Sequence, residues 1–598
     1  MKRIFTLFTL LVSVVIISQG QNATFSWFLS GGGATGSDRS ADVVTDATGN
    51  VFTANTFLNS ATFNGVTFTG SAKGSGANYD NSLLITKISP LKATLWSIYS
   101  NTGAVTPTAL ATTPNGDLIV TGTIRPVVGG ATTTANLIDA VGTVTTFSSL
   151  LSSTTIFQSF VAKFNANGVV QWVKELNSGT AKDKTISTNA LAVDASGNVY
   201  LTGNFASTVI LPGISTVTLT TTNTTQGAFI AKMDGATGDE VWYKMSTGGI
   251  VSEVLPALTY GVDGYLYAAG DFKNNATTPV AITFGDKTFT PSIGADLTLL
   301  KIDTNGNLQY LQQRPSVTSV TARDIRVKDI TTKGNLVFVA GSFVGIDGGI
   351  QFTGGNLSSS TSSLNGFIAA FNIADGTDNW HKGILSPAIV EINGIVVGSS
   401  GRLFAFGYHY NKLGTNAAGD VDFGNGFLLT DVTNTLGDLF LASFLPTVGT
   451  TSEVHLVGKG TGSEASNSLS SYGTNLYLLG IYNSNPITFE STTTSATTGS
   501  FDFFLVNYAV PLVINSNSIQ TFQVPVIQND LANHQIVVTN AGAVKSVRLL
   551  DTMGRNLISS RNSRDVLNIS TQGMVPGVYI LQLTTSEKQN ISQRFIIQ

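Results

Sequence analysis

Seven copies of a short apolar strand ending in glycine punctuate this chain, and they constrain its fold more than any other feature. They are GNVFTAN (Gly49–Asn55), GDLIVTG (Gly116–Gly122), GNVYLTG (Gly197–Gly203), GYLYAAG (Gly264–Gly270), NLVFVAG (Asn335–Gly341), GRLFAFG (Gly401–Gly407) and NLYLLG (Asn475–Gly480). The first copy places Asn55 in the glycine slot. The slots recur every 66 to 81 residues, about 71 on average. A fixed period of this kind marks an array of units, each burying its apolar faces only against its neighbours. The strands are almost continuously apolar, as expected when both faces are covered. A glycine inside such a strand implies a local bulge or close backbone approach.

Two further signatures follow each copy. One is a second apolar strand, as in SFVAKFN (Ser159–Asn165) and AFIAKMD (Ala228–Asp234), again present seven times. The other is a strand around a central aromatic: Trp96, Trp172, Trp242, Tyr310 and Trp380, with His455 in the sixth copy. No seventh copy follows the last repeat, but FSWFLS (Phe25–Ser30) around Trp27 stands before the first. An amino-terminal strand that completes the last unit closes a ring and leaves only short, protected edges. The expected fold is all-β: a seven-bladed β-propeller over 21–510, its last blade closed by the amino-terminal strand. The alternatives are a β-solenoid, whose repeats are usually much shorter, and a row of sandwiches.

The run DASGNVYLTGNF…GAFIAKMDGATGDEVWYK resembles a bacterial β-propeller repeat family of secreted seven-bladed propellers, across roughly residues 25–510. Asp234–Trp242 also resembles a quinoprotein-type blade motif, in one copy.

Composition narrows the setting. There is no cysteine, which removes disulfides and thiolate chemistry. A net charge of −4 offers no basic field for nucleic acid. Residues 1–20 read as a signal peptide: Lys2 and Arg3, the apolar stretch Ile4 to Ile17, then small residues at Ser18 and Gly20, with cleavage expected between Gly20 and Gln21. No cysteine follows to carry a lipid, and no later segment reads as a transmembrane span.

After a linker at 511–525 rich in Asn and Ser, residues 526–598 read as short strands of a small β-sandwich. VRLLDTMGRNL (Val547–Leu557), PGVYILQL (Pro576–Leu583) and QRFIIQ (Gln593–Gln598) resemble the type A carboxyl-terminal sorting domain of the Bacteroidetes type IX secretion system. The matching residues are Asp551, Gly554, Arg555, Pro576, Gly577, Tyr579 and Arg594. The family's upstream Tyr-Pro-Asn-Pro is absent, and Ile527-Gln528-Asn529-Asp530 stands there. The resemblance implies passage through the periplasm, the outer-membrane type IX machinery as a partner, and a secreted or surface-displayed product.

No catalytic constellation and no cofactor motif is present. The four histidines lack metal-ligand spacing, and packing accounts for them better. The Asp-x-x-Gly-Asn segments starting at Asp46, Asp194 and Asp303 read as hairpin turns rather than calcium loops. Asp420, Asp422 and Asn425 form the best oxygen-rich loop for calcium, and a tight glycine turn is the preferred reading. Long loops rich in Ser, Thr, Asn and Gly follow each glycine-ended strand. They offer a surface for a glycan or protein ligand, or decorate the rim. The function expected is a non-catalytic binding or adhesion scaffold. The alternatives are a polysaccharide lyase or hydrolase using loop carboxylates, and a structural surface-layer component.

Overall fold

The computed structural model describes residues 23–597, except 34–35, 72–80, 126–133, 148–155, 178–184, 207, 213–215, 219–226, 249–252, 275–279, 293, 317–324, 346–348, 360–362, 411–419, 431–436, 461, 491, 495–500, 511–525, 531–532, 540–543, 562–565 and 586–589. The expected signal peptide, Gly20 and Gln21, and the linker lie outside the described residues. The regular elements among the described residues are β-strands, and no described helix is long and apolar enough to cross a membrane. Chain contacts separate a body, Gln21–Leu512, from a unit containing Val513–Gln598.

Among the described residues the body holds seven antiparallel sheets with a common four-stranded core. In chain order the first strands are Arg39–Thr45, Ala104–Thr112, Ile186–Val193, Glu253–Tyr260, Ile325–Lys333, Ile389–Val397 and Glu464–Tyr472. Each pairs with a glycine-ended second strand, that pairs with the third, and the third pairs with the aromatic fourth. In the seventh sheet the fourth place is taken by Thr24–Gly32, beside Asp502–Ala509, with Phe28 opposite Val506. Successive first strands touch one another, and the seventh touches the first.

The glycine slot has a specific cause. Every first strand carries a bulge, for example between Val327 and Asp329 and between Thr188 and Ala190. The bulge folds a carbonyl over the second strand. A Cβ at Gly341 would stand 2.0 Å from the Arg326 carbonyl oxygen, and one at Gly270 would stand 1.8 Å from that of Val254. At these two positions only a residue without Cβ fits beneath, whereas the first sheet holds Asn55 in the same slot.

The core is divided between neighbours. Seven buried clusters each span two consecutive sheets. The last joins Tyr477, Leu479 and Phe503 of the seventh sheet to Val43, Val51 and Leu84 of the first. The aromatic fourth strands connect the rims. Trp96 Nε1 donates to the Ala166 carbonyl (3.0 Å), Trp242 to Thr304 (3.0 Å) and Trp380 to Pro446 (2.7 Å), each in a turn of the next sheet. Each indole lies against a left-handed glycine of that turn: Gly168, Gly306 and Gly449. Beside Trp27 the same role falls to Lys92, at φ 68°, with its ammonium 5.8 Å from the ring. His455 precedes the seventh sheet, whose third and fourth strands come from opposite ends of the body. No turn joins them there for an indole to cover.

The loops after the second strands contain short hairpins, and each hairpin reaches back to the preceding sheet. Ser60–Phe63 pairs with Thr24–Gly32, Ala135–Ile138 with Thr94–Tyr99, Ile282–Phe284 with Glu240–Gly248, and Ile487–Phe489 with Thr451–Gly460. The other three attach through single bridges, Asn177 to Ile210, Ser316 to Ile350 and Leu385 to Asp422. Their described parts therefore cover the outer edge strands, which would otherwise invite foreign pairing.

The carboxyl-terminal unit has a three-stranded sheet (Val526–Asp530, Gln535–Thr539, Val566–Ser570) and a four-stranded one (Asn556–Arg561, Val544–Asp551, Gly577–Thr585, Asn590–Ile597). Ile536, Val538 and Ile569 from the first share one core with Val547, Leu549 and Leu581 from the second.

Candidate functional site

The bulges that require the glycines also build a cavity among the described residues. A bulge re-aims the extra residue's side chain. Here Thr108, Asn189, Lys328, Asn393 and Asn467, from five different sheets, are such residues and line a single cavity of about 340 Å³. The next position along each strand is small (Ala109, Ala190, Ala257, Gly394 and Ser468), except in the first and fifth sheets, which place Asp42 and Asp329 there. One residue further on, buried aliphatic side chains such as Leu110, Leu191, Ile330 and Ile395 line the same space. The result is a polar chamber backed by an apolar collar.

The two carboxylates hold sheets together. Asp42 accepts from the Val43 amide (2.8 Å), from the Leu110 amide of the second sheet (2.8 Å) and from the Ser468 hydroxyl of the seventh (2.6 Å). Asp329 accepts from Ile330 (2.8 Å) and from Ile395 of the sixth sheet (2.7 Å). Burial pushes the Asp42 carboxyl up to about 6, against the pull of those donors. It pushes Asp329 up to about 7, with a small contribution from the charge of Asp42. Lys328 directs its ammonium to Glu391 (3.5 Å), which also meets Arg326 (3.6 Å). Neither aspartate thus has a lysine or arginine partner among the described residues. Asn393 donates to the Ser466 carbonyl (2.8 Å), while its own buried oxygen accepts no hydrogen bond.

The calcium candidate is arranged differently. Asp420 and Asp422 are exposed, and Asp422 caps its own turn through the Gly424 amide (2.7 Å). Asn425, at φ 59°, accepts from the Lys382 ammonium (2.8 Å) and the Thr451 amide (3.2 Å). The Asn425 side-chain oxygen, one of the candidate ligand atoms, is thus engaged by a lysine. Among the described residues no group of three or more His, Asp or Glu is placed to bind a metal. The Asp-x-x-Gly-Asn segments are turns capped by their own aspartates: Asp194 accepts from the Ser196 and Asn198 amides, both at 2.9 Å. Of the histidines, His381 stacks on Phe352 at 4.4 Å and His409 is buried.

The sorting-motif residues form two local devices. Asp551 accepts from the Met553 and Arg555 amides (both 2.9 Å) and from Arg555 Nε (2.7 Å), around Gly554 at φ 79°. These bonds hold its carboxyl below the ordinary range, the Arg555 amide foremost. Tyr579 is buried and donates to the Val575 carbonyl (2.6 Å), fixing the Pro576-Gly577 entry to its strand. Arg594 is exposed on the final strand, opposite Ile580.

The chamber is not legible in the sequence because its residues share no motif. Their common feature is a register shift, visible only once the strands are paired. The glycine slots are its trace in the sequence.

A family model described as a beta-propeller repeat matches residues 171–204, which run from the fourth strand of the second sheet to the second strand of the third. No curated protein sequence matches the chain. Similar solved structures include a quinohemoprotein alcohol dehydrogenase from Comamonas testosteroni, 10% identical over 82% of this chain and 76% of that one (TM-score 0.33). Another is BamB from Moraxella catarrhalis, 13% identical over 82% of this chain and all of that one (TM-score 0.30). At such TM-scores these likenesses carry no argument about what this chain does.

Proposed function

Starting from a scaffold of β-propeller repeats, we propose a secreted or surface-displayed binding protein that takes a polar ligand, a glycan or a protein loop, at its axial chamber. In this reading the seven sheets are the blades of one ring, and the amino-terminal strand closes it. Support comes from the cluster joining the seventh and first sheets and from the place of Thr24–Gly32 beside Asp502–Ala509. Export through the type IX machinery rests on the motif residues from Asp551 to Arg594.

The observation that carries the binding role is the convergence of uncharged hydrogen-bonding side chains from separate sheets on one chamber. Its volume falls at the small end of ligand pockets, roughly 300–1,000 Å³. The raised carboxyls of Asp42 and Asp329 favour one rival, a polysaccharide lyase or hydrolase. Glycoside hydrolysis needs two carboxyls facing the scissile bond, whereas these two spend their oxygens on strand amides. The non-catalytic role is therefore the stronger.

The test is a glycan array on the purified protein, repeated with Asn189→Ala and Asn393→Ala. Ligands found with the wild type should weaken at least tenfold in both variants. Unchanged binding would move the site elsewhere, and recovery of shortened glycan would establish the enzyme.

A further inference from the structure

The four-stranded sheet of the carboxyl-terminal unit carries an apolar strip on its outer face. We propose that this strip docks an acidic protein surface of the export machinery, an inference that rests on the sorting reading given above. Strand alternation assigns the face. Val547, Leu549, Tyr579, Leu581 and Leu583 are buried in the core shared with the three-stranded sheet. Their neighbours along the same strands turn the other way. Val578 and Ile596 stand opposite each other, 37% and 60% exposed. The adjacent row runs from Leu550 through Ile580 to Arg594, and the next from Arg548 through Gln582 to Ser592. Val575, 74% exposed, lies just before the strand that carries Val578.

Single exposed apolar residues are ordinary, but here they join in one strip across three strands. Among the described residues, the unit's three-stranded sheet packs on the opposite side. Charge selects the occupant. Arg548 and Arg594 are exposed beside the strip, and no outward position of these three strands holds an acid among the described residues. Residues 526–598 carry seven lysines and arginines against four acids, in a chain of net charge −4. A second copy of the same face would set arginine against arginine. An acidic partner with an apolar centre suits both the strip and its rim.

The experiment follows the full chain in its source bacterium by immunoblot of periplasmic and extracellular fractions. Three versions are compared with wild type: Val578→Ser with Ile596→Ser, Arg548→Glu with Arg594→Glu, and a chain lacking 526–598. Protease resistance of the periplasmic material reports folding. The expected result is at least a tenfold fall in the extracellular fraction for both paired variants, with wild-type protease resistance. Folded paired variants exported at the wild-type level, with the truncated chain retained, would overturn the docking face and leave the sorting reading standing. Normal export of the truncated chain would overturn the sorting reading and the proposal with it. Normal export of the arginine variant, together with loss of a dimer by light scattering, would assign the strip to a second copy and defeat the proposal.

Discussion

Replacing Gly238 by alanine should cost far more than the same change at Gly197, although both glycines have left-handed backbones, φ 74° and 84°. A left-handed alanine costs about 1–2 kcal/mol at either position. At Gly197 nothing lies within 4 Å of the added Cβ, so that cost is the whole effect. At Gly238 the Cβ would stand 2.7 Å from Cε3 of the Trp172 indole, and Trp172 is buried. The indole must then move off the turn, weakening its hydrogen bond to the Gly235 carbonyl (3.4 Å) and part of its packing. Trp172→Ala alone should cost about 3–5 kcal/mol. Displacing the ring should cost a fraction of that, raising Gly238→Ala to roughly 2–4 kcal/mol. In the double variant the obstacle is gone, so Gly238→Ala adds only the backbone term of about 1–2 kcal/mol to the cost of Trp172→Ala. The two sites should therefore couple by more than about 1 kcal/mol. Urea titration of the four proteins, with Gly197→Ala as reference, measures this. Equal costs at Gly238 and Gly197, or additive single effects, would refute the claim that the indole rests on the glycine.

Two other outcomes follow from the repeat and from the raised carboxyls of the chamber. Asn55 fills the glycine slot, its amide donating only to Thr53 Oγ1 (3.1 Å) and its oxygen buried without a partner. Asn55→Gly should be neutral or stabilising by up to about 1 kcal/mol, in contrast to Gly341→Ala, which should abolish soluble expression. The fold raises Asp329 from 3.8 to about 7 and Asp42 to about 6, chiefly through burial, so the folded state holds protons that the unfolded chain has released. Stability from these groups is complete below about pH 4 and is lost as pH rises through 6 to 7. Melting should be higher at pH 5 than at pH 8. Asp329→Asn should narrow that difference, and an unchanged difference would show that this carboxyl does not titrate there.

How much of this could be read beforehand depended on range. Strands, turns and their sevenfold recurrence are local, and they were legible in patterns such as GNVYLTG and the Asp-x-x-Gly-Asn turns. The segment around Trp27 was identifiable as the fourth strand missing after the last repeat, and Thr24–Gly32 lies in the seventh sheet. The loops were harder. Their composition suggested a recognition surface or rim decoration. Their described hairpins pair with the preceding sheet, a choice set by which edge lies within reach. Asn425 stood in the sequence as a weak calcium candidate in a glycine turn, and a linear sequence does not reveal that its oxygen accepts from Lys382, 43 residues away.

The glycine slots illustrate the division most directly. By themselves they determined that seven alike units exist and that something presses on each second strand. Only the tertiary structure decided what that was: a bulged first strand whose carbonyl covers the glycine and whose extra side chain turns, in five of the sheets, into a shared cavity. A bulge is a register difference between two strands, and register belongs to the pair rather than to either segment. The chamber lined by Asn189, Asn393 and Asp329 was therefore specified by sequence only through long-range pairing.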